Sequence, residues 1–274
     1  MTNRLFFYLA LFIFSGFSAC VVNAKAPTKH VPVRSKEAGP YANMTYDQIM
    51  QIKNGAVQKG NSAVAIAALE RLMRLCTDVS KLSDIMIELA GLYYDVGQYT
   101  KSSELYNQFV NFYPGAGKEL LEYAQFRAVS AQNCAIRPSD RDQTDTEKVI
   151  SLADAFLGKA QFALYRDQVV QLRAKAYESL FDSEASICRF FVHRGQLEPC
   201  NRHLKYVREL ATKEPALIPH CIRLELDFVS LCGDQEAMKA KRLHLIDRYA
   251  DHEQLINQHQ MKLDPWYSWL KMWA

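Results

Sequence analysis

The stretch His252-Glu253-Gln254-Leu255-Ile256 opens like the helical zinc site of a metalloprotease. In that site two histidines four residues apart share one helix face and the glutamate between them acts as a base. Here Ile256 stands where the second histidine is needed, so the motif fails. Cys188, His193, Cys200 and His203 are the right ligand types for zinc. Their spacing is irregular, however, and both cysteines fall where a helix pair calls for small buried residues. Neither a Gly-rich phosphate loop nor a serine nucleophile elbow is present. The sequence thus predicts a non-enzymatic protein with no catalytic residue, no metal and no cofactor beyond a covalent lipid. The paired acids Glu119 and Glu122 and the charges of residues 137–147 read as solvated faces.

That lipid is expected on Cys20. Residues 1–19 carry a short positive start at Arg4, an apolar run from Leu5 to Phe14 and small residues ahead of Cys20, the layout of a secretory signal. The run breaks at Ser15-Gly16, short of the ~20 apolar residues a membrane span needs. Phe17-Ser18-Ala19-Cys20 resembles a bacterial lipobox, with Phe17 where leucine is usual. The rival is ordinary cleavage at Ala24-Lys25-Ala26, which the following Pro27 disfavours. Residues 20–44 hold Pro27, Pro32, Gly39 and Pro40 without helical period and read as a linker between anchor and body.

The body is organised around residues 85–114, which match a tetratricopeptide repeat. Met86, Leu89, Ala90, Tyr93, Ser102, Tyr106 and Pro114 fall on its signature offsets, with Gly97 and Tyr99 at the turn. Ala90 and Ser102 let two antiparallel helices approach, Tyr93 and Tyr106 fill the groove beside them, and Pro114 stops the second helix. A shift of 37 residues back brings Ile49, Ile52, Ala56, Gly60, Ala65, Leu69 and Leu72 into the same register. A shift of 98 forward does so for Ile187, Cys188, Phe191, Gly195, Leu197, Cys200 and Leu204. The expected fold is all-α, a tetratricopeptide solenoid of about five helix pairs over residues 45–250, each pair burying its apolar face against the next. Thr45 is placed to cap the first helix, and Asp145 or Thr146 the helix around Val149–Leu157. Residues 161–182 and 184–193 each show helical period. Cys188 and Cys200 share the close-approach positions of one pair, so they are expected in contact, as a disulfide or as two buried thiols.

The chain carries 33 basic and 30 acidic side chains, a formal charge of +3. Arg4 and the basic residues of the linker account for all of that excess, which leaves −1 on residues 45–274. Such a body lacks the clustered cations that displace phosphate counterions, so nucleic acid is not an expected partner.

The lipobox, the linker, five helix pairs and a long loop in the third resemble the BamD-like family, tetratricopeptide lipoproteins of the bacterial β-barrel assembly (BAM) complex. The sharper points are Tyr113-Pro114, Glu122-Tyr123-Ala124, Arg141-Asp142, Arg194-Gly195 and Asn201-Arg202. The resemblance implies an outer-membrane protein, lipid-anchored through Cys20 and facing the periplasm. Its later repeats would bind the periplasmic domains of a BamA-like barrel subunit, with Arg141, Arg194, Asn201 and Arg202 as partner-binding residues. It would assemble with the other BAM lipoproteins, and its first repeats would receive unfolded outer-membrane proteins. The alternative is another periplasmic repeat lipoprotein that scaffolds cell-wall or secretion components.

Beyond the body, residues 251–274 form a tail ending in Asp264-Pro265-Trp266-Tyr267-Ser268-Trp269-Leu270-Lys271-Met272-Trp273-Ala274. Asp264 and Pro265 make a good helix start, and Trp266, Trp269, Leu270 and Trp273 would share one face. A cap on the open end of the solenoid is the favoured role, ahead of the membrane interface or a partner.

Overall fold

The computed structural model describes residues 41–232 and 235–258. Cys20, most of the linker, the turn at Gly233-Asp234 and the tail residues 264–274 lie outside them. Among the described residues every regular element is helical. In order these are α1 (Tyr46–Gln58), α2 (Ser62–Leu75), α3 (Val79–Asp95), α4 (Tyr99–Phe112), α5 (Lys118–Cys134), α6 (Thr144–Leu157), α7 (Arg166–His193), α8 (Leu197–Lys213), α9 (Ile218–Cys232), α10 (Gln235–Arg248) and α11 (Glu253–Gln258). Single 3₁₀ turns at Pro215–Leu217 and Ala250–His252 lead into α9 and α11. Consecutive helices pack on each other, and α7 also touches α5 and α9. The result is a row of five helix pairs followed by the short α11.

The turns show why the pattern recurs. Gly60, Gly97 and Gly195 all sit at positive φ, 66°, 76° and 68°. Each is the second residue past a helix end, just after the C-cap residue, and lies two residues ahead of the next helix. In each turn the glycine N–H donates to the carbonyl three residues back, and the next N–H to the carbonyl five back: Asn61 to Ala56, Gln98 to Tyr93, Gln196 to Phe191. This is the Schellman arrangement, which needs a left-handed residue and so favours glycine. Three turns separated by 37 and 98 residues thus share one backbone solution.

The close-approach positions behave alike. Ala90 and Ser102 are wholly buried, and Ser102 Oγ donates to the Ala90 carbonyl at 2.7 Å. Tyr93 and Tyr106 are buried beside them, whereas Tyr94, Tyr99 and Tyr113 are half-buried in ring contacts. Thr45 caps α1 in a capping box with Gln48.

Three expectations are corrected. The helix after the long loop starts at Thr144, and the carboxylate that serves it is Asp142, which accepts from the Thr144 N–H at 3.2 Å and its hydroxyl at 2.8 Å. Those bonds hold the Asp142 carboxyl below its ordinary range. Thr146 is buried instead and donates to Gln143 Oε1. Residues 161–182 and 184–193 are not separate stretches but parts of α7, one helix of 28 residues that starts at Arg166. Phe162, ahead of that start, packs its ring 5.3 Å from Phe156. Finally, Glu122 is buried, not solvated: its Oε1 accepts from the backbone N–H groups of Leu164 and, at 3.2 Å, Tyr165. The carboxylate therefore sits on the start of α7, where unpaired N–H groups and the helix dipole favour negative charge.

Candidate interaction surface

The fourth pair presents an open groove of about 410 Å³ between the loop after α5 and the second half of α7. Ser139, Asp140 and Arg141 of the loop form one wall. Ser183, Ser186, Ile187, Phe190 and Phe191 of α7 form the floor and the other. The loop keeps its place through polar contacts, some half-buried and some exposed. Gln132 donates to Asp145 at 3.0 Å, Gln143 donates to the carbonyls of Pro138 and Arg141, and Ser179 donates to Gln143 at 3.5 Å. The Gln143 bonds brace the loop internally, Ser179 ties it to α7, and the Gln132 bond joins the two helices that the loop connects.

Phe190 is 50% exposed. It stands two residues past Cys188, off the buried set Cys188 and Val192, so α7 turns it outward. The Arg194 guanidinium lies over its ring at 4.4 Å, a cation–π contact worth about 0.5–1 kcal/mol at an exposed site. Phe191 stacks on His203 of α8 at 5.8 Å, and His203 Nδ1 meets Glu184 Oε2 at 2.6 Å. One aromatic is thereby clamped between helices, and its neighbour is offered to solvent. Arg141 is 70% exposed, and among the described residues it pairs with adjacent Asp140 at 3.8 Å, also exposed. Such a pair contributes under ~1 kcal/mol and leaves the guanidinium available.

Of the four arginine and asparagine positions expected at a partner interface, two meet here: Arg141 lines the groove and Arg194 covers its aromatic floor. Asn201 and Arg202 do not line it. Both are exposed on α8, and Arg202 falls between Cys200 and Leu204 on the side away from the packed face. Phe190 itself escaped sequence reasoning, although its displacement from the buried period was the available signal.

Cys188 and Cys200 are buried and their thiols are free, with Cys188 Sγ donating to the Cys200 carbonyl at 3.6 Å. Burial pushes the Cys188 thiol far up, and the neighbouring Cys200 adds to this. A second crevice of about 420 Å³ runs between α2 and α4 over α3. Its lining includes Met73, Leu89 and Leu105, and Lys101 lies over the Tyr93 ring at 5.2 Å while the Tyr93 hydroxyl donates to Glu70.

Fold and surface together define a helical-repeat protein with an aromatic groove rimmed by arginine. No protein-family model matches the chain, and no curated protein matches it either.

Proposed function

We propose that the chain is a lipid-anchored tetratricopeptide scaffold of the BAM complex. In this reading Cys20 carries the lipid and the later repeats bind the barrel subunit. The observation that carries the docking role is the groove of the fourth pair. Of two arginines that the family resemblance marks independently, Arg141 lines the same groove as a half-exposed phenylalanine, Phe190, and Arg194 lies over that ring. Aromatic and arginine residues are enriched at energetic centres of interfaces, and a guanidinium suits bidentate carboxylate contacts. Support for the repeat class comes from the shared turns at Gly60, Gly97 and Gly195. The crevice over α3 offers the first repeats an apolar floor with charged rims for an unfolded segment.

Affinity recovery of the full chain from detergent-extracted membranes tests the proposal. A barrel with periplasmic repeat domains is expected to co-purify, and its recovery should fall with Phe190→Ala or with Arg141→Glu and Arg194→Glu together. Recovery of a cell-wall hydrolase or a secretin in its place would move the chain to the alternative class of periplasmic scaffold. Mass spectrometry of the mature N-terminus should show an acylated Cys20, and a peptide beginning at Pro27 would remove the anchor.

A further inference from the structure

Phe190 lies in the last turn of α7, which ends at His193, and a helix end is prone to fray. Two sets of contacts hold that turn. The Phe191 carbonyl accepts from the N–H groups of Arg194 at 3.1 Å and Gln196 at 2.9 Å, which fastens the backbone to the Gly195 turn. The Phe191 ring is stacked on His203 of α8, with 22° between the planes and centroids 5.8 Å apart.

His203 is itself fixed. Its Nδ1 lies 2.6 Å from Glu184 Oε2, and an ionised carboxylate can only accept, so Nδ1 carries the hydrogen. Glu184 and Phe191 are two turns apart on α7 and share one face. A single imidazole on α8 thereby bridges two turns of α7. The bond is partly shielded from water, with the Glu184 side chain 16% exposed and that of His203 31%. Beyond it, the Phe190 and Phe191 rings meet edge to face, 5.4 Å apart at 73°, and Arg194 lies over Phe190. The contacts run in one line from the Glu184 carboxylate through His203 and Phe191 to the exposed ring. A side chain held in place before binding loses less freedom when a partner covers it.

We propose that His203 is a positioning residue of the groove: held by Glu184 and stacked on Phe191, it sets the Phe190 ring as a preformed anchor for the docking partner. This rests on the reading of the groove as the docking surface for the barrel subunit. It invokes no contact between His203 and that partner.

Fluorine NMR of the purified full chain, with para-fluorophenylalanine placed at position 190 alone, reads the ring directly and needs no partner. The unaltered chain should give one resonance, displaced from that of the urea-unfolded chain. His203→Ala should move it toward the unfolded position with helical circular dichroism retained. Recovery of the barrel subunit from detergent-extracted membranes should fall about two- to tenfold in the same variant. Glu184→Gln keeps an oxygen that accepts from Nδ1, so it should preserve both the resonance and the recovery. Phe191→Leu keeps an apolar side chain but has no ring to stack, and should reproduce His203→Ala; it decides the matter if His203→Ala loses its helical signal. A resonance that neither His203→Ala nor Phe191→Leu moves would overturn the proposal. So would lost recovery with the resonance in place, because His203 would then act on the partner itself. If the unaltered chain recovers no barrel subunit, the docking reading fails, while the resonance still decides whether His203 positions Phe190.

Discussion

Glu225 is a carboxylate taken out of water and held by cations. It is 1% exposed on α9, accepts two bonds at 2.9 Å from Arg208 of α8 and pairs with Lys241 of α10. Burial acts to raise its pKa, but the Arg208 and Lys241 contacts outweigh burial and leave it below the ordinary carboxylate value. A carboxyl whose folded pKa is depressed contributes stability above its unfolded pKa, and that stability is lost as pH falls through the folded value. The last two pairs should therefore melt earlier as pH drops below about 4. Glu225→Gln should remove part of this acid dependence and cost about 1–3 kcal/mol at neutral pH, because two half-buried cations lose their counterion. Denaturant titrations at pH 7 and pH 3.5 would check both. The thiols give a second residue-scale expectation. Cys221 is wholly buried and pushed up to about 12 by burial, with the Glu225 charge adding to it, and Cys188 is raised for the same first reason. Thiolates react and thiols do not. Iodoacetamide should thus label exposed Cys134 in the native protein, and Cys188, Cys200 and Cys221 only after unfolding. Loss of Cys188 and Cys200 labelling in unfolded, unreduced protein, restored by reductant, would show the disulfide.

At the scale of elements, the chain was most legible where a local backbone need fixes a residue type. Gly97 could be aligned with Gly60 and Gly195 from sequence because a left-handed turn residue leaves few choices. Ala90 and Ser102 were readable because close helix approach excludes bulk. What the sequence hid depends on partners far along the chain. Glu122 looked like one of two surface acids, since nothing local says that the start of α7, some 42 residues on, will sit against it. α7 looked like two stretches because its first half buries Val169 and Ala176 with α6 in one cluster, while Leu180, Cys188 and Val192 pack with α8 in another. The buried face drifts around the helix while the helix itself continues without a glycine or proline to stop it. The arginines of the groove were named by resemblance, but that Arg141 shares a groove with Phe190 required the loop to be placed. The turn argument is testable by comparison. Gly97→Ala should cost about 1 kcal/mol because an L side chain is disfavoured at φ 76°, although its Cβ would meet nothing within 4 Å. Gly115→Ala, with open space and no positive φ, should cost little in the same denaturant titration.

The buried residues of the whole row fall into separate clusters rather than one centre. One is built from α1 to α5 around Leu69, Leu89 and Phe109. Another lies around Val149, Phe156 and Val169, a third around Leu204, Val207 and Leu210, and a fourth around Ile222 and Leu245. Among the described residues the main packing of each helix pair is on its neighbours in the row, so stability is close to a sum of pair and interface terms, and damage should spread by nearest neighbours. Leu69 is wholly buried in the first cluster, and Leu69→Ala removes its side chain from contact with the first two pairs. A loss of about 2–5 kcal/mol is expected at such a core site. Hydrogen exchange is the measurement that resolves where this loss is felt. Amides of α1 to α4 should exchange faster by the full destabilisation, those of α5 and α6 by less, and those of α8 to α10 should be unchanged. Leu210→Ala, buried in the third cluster, should produce the reverse gradient, sparing α1 and α2. Equal acceleration along the whole chain in either variant would mean that the row unfolds as one cooperative body, and the neighbour-by-neighbour account of its stability would be wrong.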